Sequence, residues 1–296
     1  MRAQSIAQGR ALDIHLPHLK LAAKMWGPEG GPGVLAMHGW LDNASSFDLV
    51  APRLPGLCIV AVDLPGHGLS QHYPPGSLYA FMDAVADMDA VIHALGWSRC
   101  GLLGHSRGAG IAPLLAAARP GQIDRIALLD GLGPVTDPPA AAPAAFARSL
   151  AHQRRSRTAA RIFENREAAA ARLVAASRTM SMATARILVE RGTTNAGSGG
   201  VRWRADPRLR VPSRLRLSED QVHAFLAAVE CPTLLIRAQS GLQDERRQFA
   251  GRVAQLPSIE VHEIPGGHHV HLDDPEPVVA LLRPFFAPML AQARRE

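Results

Sequence analysis

Gly104-His105-Ser106-Arg107-Gly108 follows an apolar run, Cys100 to Leu103, and opens an Ala-rich stretch of helical character, Ala109 to Arg119. A serine flanked at two residues' distance by glycines, at a strand-to-helix junction, is the pattern of a nucleophile held on a strained turn. Neighbouring side chains would collide there, so the glycines let Ser106 stand clear of the backbone. A single match of this kind is weak, since a chain containing many glycines and serines produces one by accident. The surrounding sequence decides the reading.

Upstream, Gly33-Val34-Leu35-Ala36-Met37 reads as a short buried strand ending in His38-Gly39-Trp40, where a tight turn would present the Trp40 backbone N–H. The N–H of Arg107 would supply a second donor at the start of the following helix, where the helix dipole favours negative charge. These two form the candidate oxyanion hole. Downstream, Ser258 to Ile264 alternates like a strand and runs into Pro265-Gly266-Gly267-His268-His269-Val270-His271-Leu272-Asp273-Asp274-Pro275-Glu276, a Gly-rich loop carrying a late histidine. Together with Asp63-Leu64-Pro65-Gly66-His67-Gly68-Leu69-Ser70, these landmarks, in this order over about residues 19 to 290, resemble the α/β-hydrolase fold superfamily. Within it, Trp40-Leu41-Asp42-Asn43-Ala44 and Leu129-Asp130-Gly131-Leu132-Gly133-Pro134 look most like the serine-hydrolase-like and mesoderm-specific-transcript group.

Composition agrees with a soluble globular protein. The 296 residues suffice for one large core with an inserted subdomain, and 47% are apolar. The net charge of +6 is almost wholly arginine, Lys20 and Lys24 being the only lysines. No aromatic-interleaved basic motif accompanies that charge, so it reads as coding bias and a solvated face, with no nucleic-acid partner. Cys58, Cys100 and Cys231 are odd in number and sit near buried strands, which predicts core fillers in a reducing compartment. No uninterrupted apolar leader is seen near Arg2 and Arg10, and no stretch approaches the roughly 20 apolar residues needed to span a bilayer. A cytoplasmic protein with no membrane association is expected. No heptad pattern indicates an oligomeric state.

Strands are predicted at Leu19–Trp26, Gly33–Met37, Leu57–Asp63, Cys100–Leu103, Ile123–Leu129 and Thr233–Ile236. Between them, Phe81, Val85, Met88, Ile92 and Leu95 mark one buried helix face, which Gly96 stops. Such β-α alternation calls for a mostly parallel central sheet with helices on both faces, an α/β architecture whose ligands sit at the carboxyl ends of the strands. Alternation breaks after Pro134 into Ala- and Arg-rich helical sequence. Residues 1–133 and 222–296 therefore read as two parts of one core, and 134–221 as a mainly helical cap that selects the substrate. The cap's arginines are read as a salt-laced outer surface before an anion site. Trp40 and, from the cap, Trp203 are candidate pocket walls.

The base assigned by the Gly-His-x-x-His-x-x-x-Pro-Glu pattern is His268, with His271 a packed, hydrogen-bonded neighbour. Asp130 is the preferred third member of the triad, because it stands at the end of the strand after the elbow helix. In the superfamily the acid usually follows the next strand, but here that place reads Arg237-Ala238-Gln239-Ser240-Gly241. Asp244 remains possible if its loop bends back, whereas Asp274 before Pro275 reads as the N-cap of the last helix. Asp63 and His67 are read as shaping their own loop, and His105 as pointing away from the nucleophile's side. His268, His269 and His271 near Asp273 invite a zinc reading, but they share one loop where a zinc site wants a rigid scaffold. No metal and no organic cofactor are expected.

These residues predict acyl transfer to Ser106 and release by water, with a small-molecule ester or related acyl compound as substrate. Serine at the elbow excludes the alkyl-enzyme chemistry of relatives that carry aspartate there. Carbon–carbon bond hydrolysis, thioester or amide cleavage would use the same residues, and a catalytically silent ligand-binding protein is the alternative from another class.

Overall fold

The structure, a computed structural model, describes residues 8–155, 161–177, 179–197, 199–242 and 246–295. Its first strands, β1 (Arg10–His15) and β2 (Lys20–Trp26), pair antiparallel, and β2 pairs antiparallel with β4 (Cys58–Val62). Between β2 and β4 in the chain lies β3 (Gly33–Met37), followed later by α1 (Phe81–Ala94), β5 (Cys100–His105), α2 (Arg107–Ala118) and β6 (Ile123–Leu129). Every residue of β3, β4 and β5 is buried. Such strands must be covered on both faces, and successive residues do enter opposite cores. Leu35, Val60, Leu102 and Ile126 pack with α1 and α2, while Val34, Ile59, Leu103 and Ala127 pack on the other side.

After β6 the chain leaves the sheet for α3 (Ala142–Arg155), β7 (Ile162–Phe163), α4 (Arg166–Ala176), α5 (Met182–Gly192), β8 (Thr193–Asn195) and β9 (Val201–Trp203). The last three strands form a small antiparallel sheet in the order β7-β9-β8. Sequence predicts the helices but not these strands, because two or three residues are too few to display a period. Phe163, Ala169, Ala170, Ala185, Val189 and Val201 give this region its own apolar cluster.

The chain returns through α6 (Glu219–Ala227), which opens with a capping box between Ser218 and Gln221, then β10 (Thr233–Ser240), α7 (Arg246–Val253), β11 (Ile259–Gly267), α8 (Val270–Asp273) and α9 (Pro275–Ala293). Sheet order is β1-β2-β4-β3-β5-β6-β10-β11, and every pairing beyond β2–β4 is parallel. The exposed edge strand β1 is absent from the sequence reading, since four of its six residues face solvent and leave little apolar signal. Asp274 takes the N-cap position of α9 with Pro275 first, as predicted, although its side chain makes no capping hydrogen bond.

Arg252, 1% exposed, ties the two ends of the excursion together. Its guanidinium donates to the carbonyls of Leu132 (2.7 Å) and Pro134 (2.9 Å) and pairs with Glu219 of α6 at 2.7 Å. Burying this cation is tolerable because carboxylate and carbonyl oxygens engage it. All three cysteines are free, and burial pushes the Cys231 thiol up to about 11. No helix among the described residues is long and apolar enough to cross a membrane.

Candidate active site

Ser106 sits between β5 and α2 with φ 51° and ψ −108°, outside the regions a side-chain-bearing residue prefers. Two backbone bonds hold that turn: Ser106 N–H donates to Leu129 O at the end of β6 (3.0 Å), and Gly108 N–H to His38 O after β3 (3.2 Å). A Cβ on Gly108 would lie 1.9 Å from Met37 O, so only glycine lets α2 approach β3 this closely.

Asp130 follows β6 directly, also in the left-handed region with φ 44°. Its Oδ2 lies 2.7 Å from His268 Nδ1, at the end of β11, so that nitrogen carries the hydrogen and Nε2 is left as the basic atom. The same carboxylate accepts the N–H groups of Ala238 (3.1 Å) and Leu242 (3.0 Å). Burial opposes its charge, but the His268 hydrogen bond and charge, with the two N–H groups, outweigh that and hold its pKa below the ordinary value. A Cβ on Gly241 would stand 2.1 Å from Asp130 Oδ2, so this glycine lets the loop after β10 close over the acid. The place where the superfamily's acid usually stands thus contributes backbone donors. Asp244 lies outside the described residues.

The loop after β3 turns through Asp42 N–H to Gly39 O (3.2 Å), with Leu41 at φ 66°. Trp40 is 49% exposed; its indole N–H donates to Leu209 O (3.1 Å) and the Arg210 guanidinium lies over its ring. Trp203 packs edge-on against Phe163, 5.6 Å between centroids, beside the excursion's own cluster. The Arg107 guanidinium lies over the Phe81 ring (5.1 Å), and burial lowers its pKa. Asp63 accepts the N–H groups of Ala44 and Leu69, both at 2.7 Å, and so fastens its loop as the sequence predicts. It also meets Arg191 of α5 at 2.9 Å, a partner no local sequence signal identifies.

His67 is buried, with Nδ1 bonded to Pro65 O (3.0 Å). His105 is buried, with Nε2 2.9 Å from the His268 carbonyl, so the residue before the serine supports the loop of the candidate base. His271 corrects the expectation in part. It is fully buried and 4.2 Å from the His105 ring, but neither of its nitrogens has a hydrogen-bond partner among the described residues. Asp42, which sequence reading passed over, lies 3.1 Å from His269 Nε2. Its only local signal is its place in the Trp40–Ala44 run.

The α/β-hydrolase fold family model matches residues 32–275. The zebrafish (Danio rerio) serine hydrolase-like protein is 32% identical over 92% of this chain and 87% of its own length. A solved hypothetical protein of Pseudomonas aeruginosa PAO1 superposes with a TM-score of 0.89 at 40% identity, covering 94% of this chain and 99% of that one. The thioesterase domain from the curacin biosynthetic pathway superposes with a TM-score of 0.80 at 27% identity over 93% and 99% of the two chains. With its mostly parallel sheet, helices on both faces and a serine at the strained β5–α2 turn, the chain belongs to the α/β-hydrolase fold family, as a relative of the serine hydrolase-like proteins.

Proposed function

We propose that the protein cleaves a carboxylic ester through an acyl-enzyme on Ser106. The observation that carries this reading is the 2.7 Å bond between His268 Nδ1 and Asp130 Oδ2, with Asp130 ending the strand next to β5 and the His268 carbonyl 2.9 Å from the ring of His105, the residue before Ser106. His268 Nε2 takes the Ser106 hydroxyl proton as Oγ attacks the acyl carbon. Asp130 holds the tautomer and stabilises the imidazolium, and the backbone N–H groups of Trp40 and Arg107 receive the oxyanion. The proton passes to the leaving alcohol; water, deprotonated by His268, then releases the acid and restores Ser106. No metal or organic cofactor takes part. Residues 134–221 act as a cap over the strand ends, with Trp40 and, from the cap, Trp203 as walls of the pocket. A reducing cytoplasmic setting suits the three free cysteines. Thioester cleavage is the second reading, favoured by the likeness to a thioesterase domain.

The test is hydrolysis of p-nitrophenyl esters of graded acyl length, run beside Ser106→Ala with fluorophosphonate labelling of both proteins. Ser106→Ala should lower turnover by roughly four to six orders of magnitude and abolish labelling. A loss below about tenfold would overturn the reading. Labelling of Ser106 without ester turnover would move the assignment to a thioester or carbon–carbon bond substrate.

A further inference from the structure

Beneath His268 lies a second cluster that the reaction above does not use. Asp42 Oδ2 is 3.1 Å from His269 Nε2 and 3.4 Å from His105 Nδ1, and the three ligand atoms all lie within 4.8 Å of one another. All three side chains are buried, His105 completely. They come from three separate segments: the end of β5, the loop after β3 and the turn before α8. This is a scaffold that a single loop of histidines lacks.

Hydrogen placement makes the cluster unusual. His105 Nε2 faces the carbonyl oxygen of His268 at 2.9 Å, and a carbonyl only accepts, so Nε2 carries the hydrogen. Its Nδ1 stands 3.4 Å from the Asp42 carboxylate and, among the described residues, makes no hydrogen bond. One proton between His269 and Asp42 satisfies a single edge of the triangle and leaves the buried His105 Nδ1 without a bond among the described residues. A divalent cation satisfies both. In a tetrahedral zinc site with bonds near 2.0–2.1 Å the ligand–ligand edge is about 3.3 Å; the two Asp42 edges, 3.1 and 3.4 Å, bracket that value. The third edge closes as the two imidazoles draw toward the ion.

We propose that Asp42, His105 and His269 form a binding site for a divalent transition-metal ion of the zinc class. Two imidazoles and one carboxylate suit such an ion and leave a further coordination position for water. Binding displaces the Nε2 proton of His269 to solvent, one proton per ion when the imidazole starts as the cation. The ion would join the Trp40 loop to the His268 loop. The inference does not rest on the serine-hydrolase reading, and its test does not measure turnover.

The full-length protein, freed of metal with a chelator, is titrated with Zn²⁺ by calorimetry at neutral pH. One ion per chain is expected, bound in the micromolar range or tighter, and weakened by roughly a hundredfold in both Asp42→Asn and His269→Gln. Ser106→Ala and His268→Gln should bind like the natural chain. No binding up to about 1 mM, binding unaltered in His269→Gln, or binding lost in His268→Gln would overturn the proposal, the last by placing the ion on the candidate base. If Asp42→Asn or His269→Gln does not fold, X-ray absorption of zinc-loaded His268→Gln decides. Two imidazoles, oxygen ligands and no sulfur are expected, and a sulfur ligand or fewer imidazoles overturns the site.

Discussion

At the scale of single residues, Asp130 is held by three donors from two strand ends: the His268 ring after β11, and the N–H groups of Ala238 and Leu242 in and just after β10. Asparagine has nearly the same shape and keeps the backbone contacts, but its amide can present a donor to Nδ1 and so stabilise the wrong tautomer of His268. Asp130→Asn should therefore lower ester turnover by about 10⁴-fold with little loss of fold, whereas Asp244→Asn should cost less than about tenfold. Steady-state kinetics of both variants check this, and a larger loss in Asp244→Asn would move the acid. That Asp130 is a candidate acid was legible from its place after β6. What sequence did not disclose is why the usual position is free of a carboxylate: Gly241 brings backbone donors onto Asp130 there, a tertiary contact without a motif.

At the scale of elements, α5 fastens the excursion to the site. Arg191 pairs with fully buried Asp63 at 2.9 Å, Asn43 Nδ2 donates to Leu188 O at 2.8 Å, and Thr184 Oγ1 donates to Asp273 at 2.6 Å. Thr179, just before α5, reaches the His268 N–H at 3.4 Å. α5 and the residues just before it thus touch the loops of both the candidate oxyanion donor and the candidate base. Arg191→Met removes the cation and leaves Asp63 charged and buried, for which a destabilisation of about 3 kcal/mol is expected. Urea denaturation measures it, and a change below about 1 kcal/mol would mean that backbone donors alone satisfy Asp63. The helical character of this stretch was legible from its Ala- and Arg-rich composition. Its docking was not, because an arginine in an Arg-rich stretch gives no sign of which one is buried.

For the molecule as a whole, buried histidines set the response to acid. Burial, the largest cause in each case, lowers His38 to about 4, His67 to about 3 and His105 to about 4, and takes His271 well below the ordinary 6.5. The unfolded chain takes up these protons near 6.5, so their contribution to stability is complete above that pH and falls as pH drops through the interval down to the folded values. Each adds a slope of about 1.4 kcal/mol per pH unit there. His269 acts in reverse: burial opposes its charge, but Asp42 raises its pKa, and its contribution is lost as pH rises through the raised value. With four groups against one, the urea midpoint should fall steeply between neutral pH and about pH 5; a flat or rising midpoint would contradict the neutral assignments. The sequence by itself determined the sheet's class, most of its central strands and the order of the serine, acid and base candidates. Those depend on local periodicity, turn chemistry and chain order, which lie within a few residues of one another. The edge strand β1, the small sheet of the excursion, the Arg191–Asp63 pair and the Asp42–His105–His269 cluster were decided only by the tertiary structure. Each joins groups far apart in the chain, and what makes them meet is burial and unpaired donors and acceptors that exist only once the elements have packed.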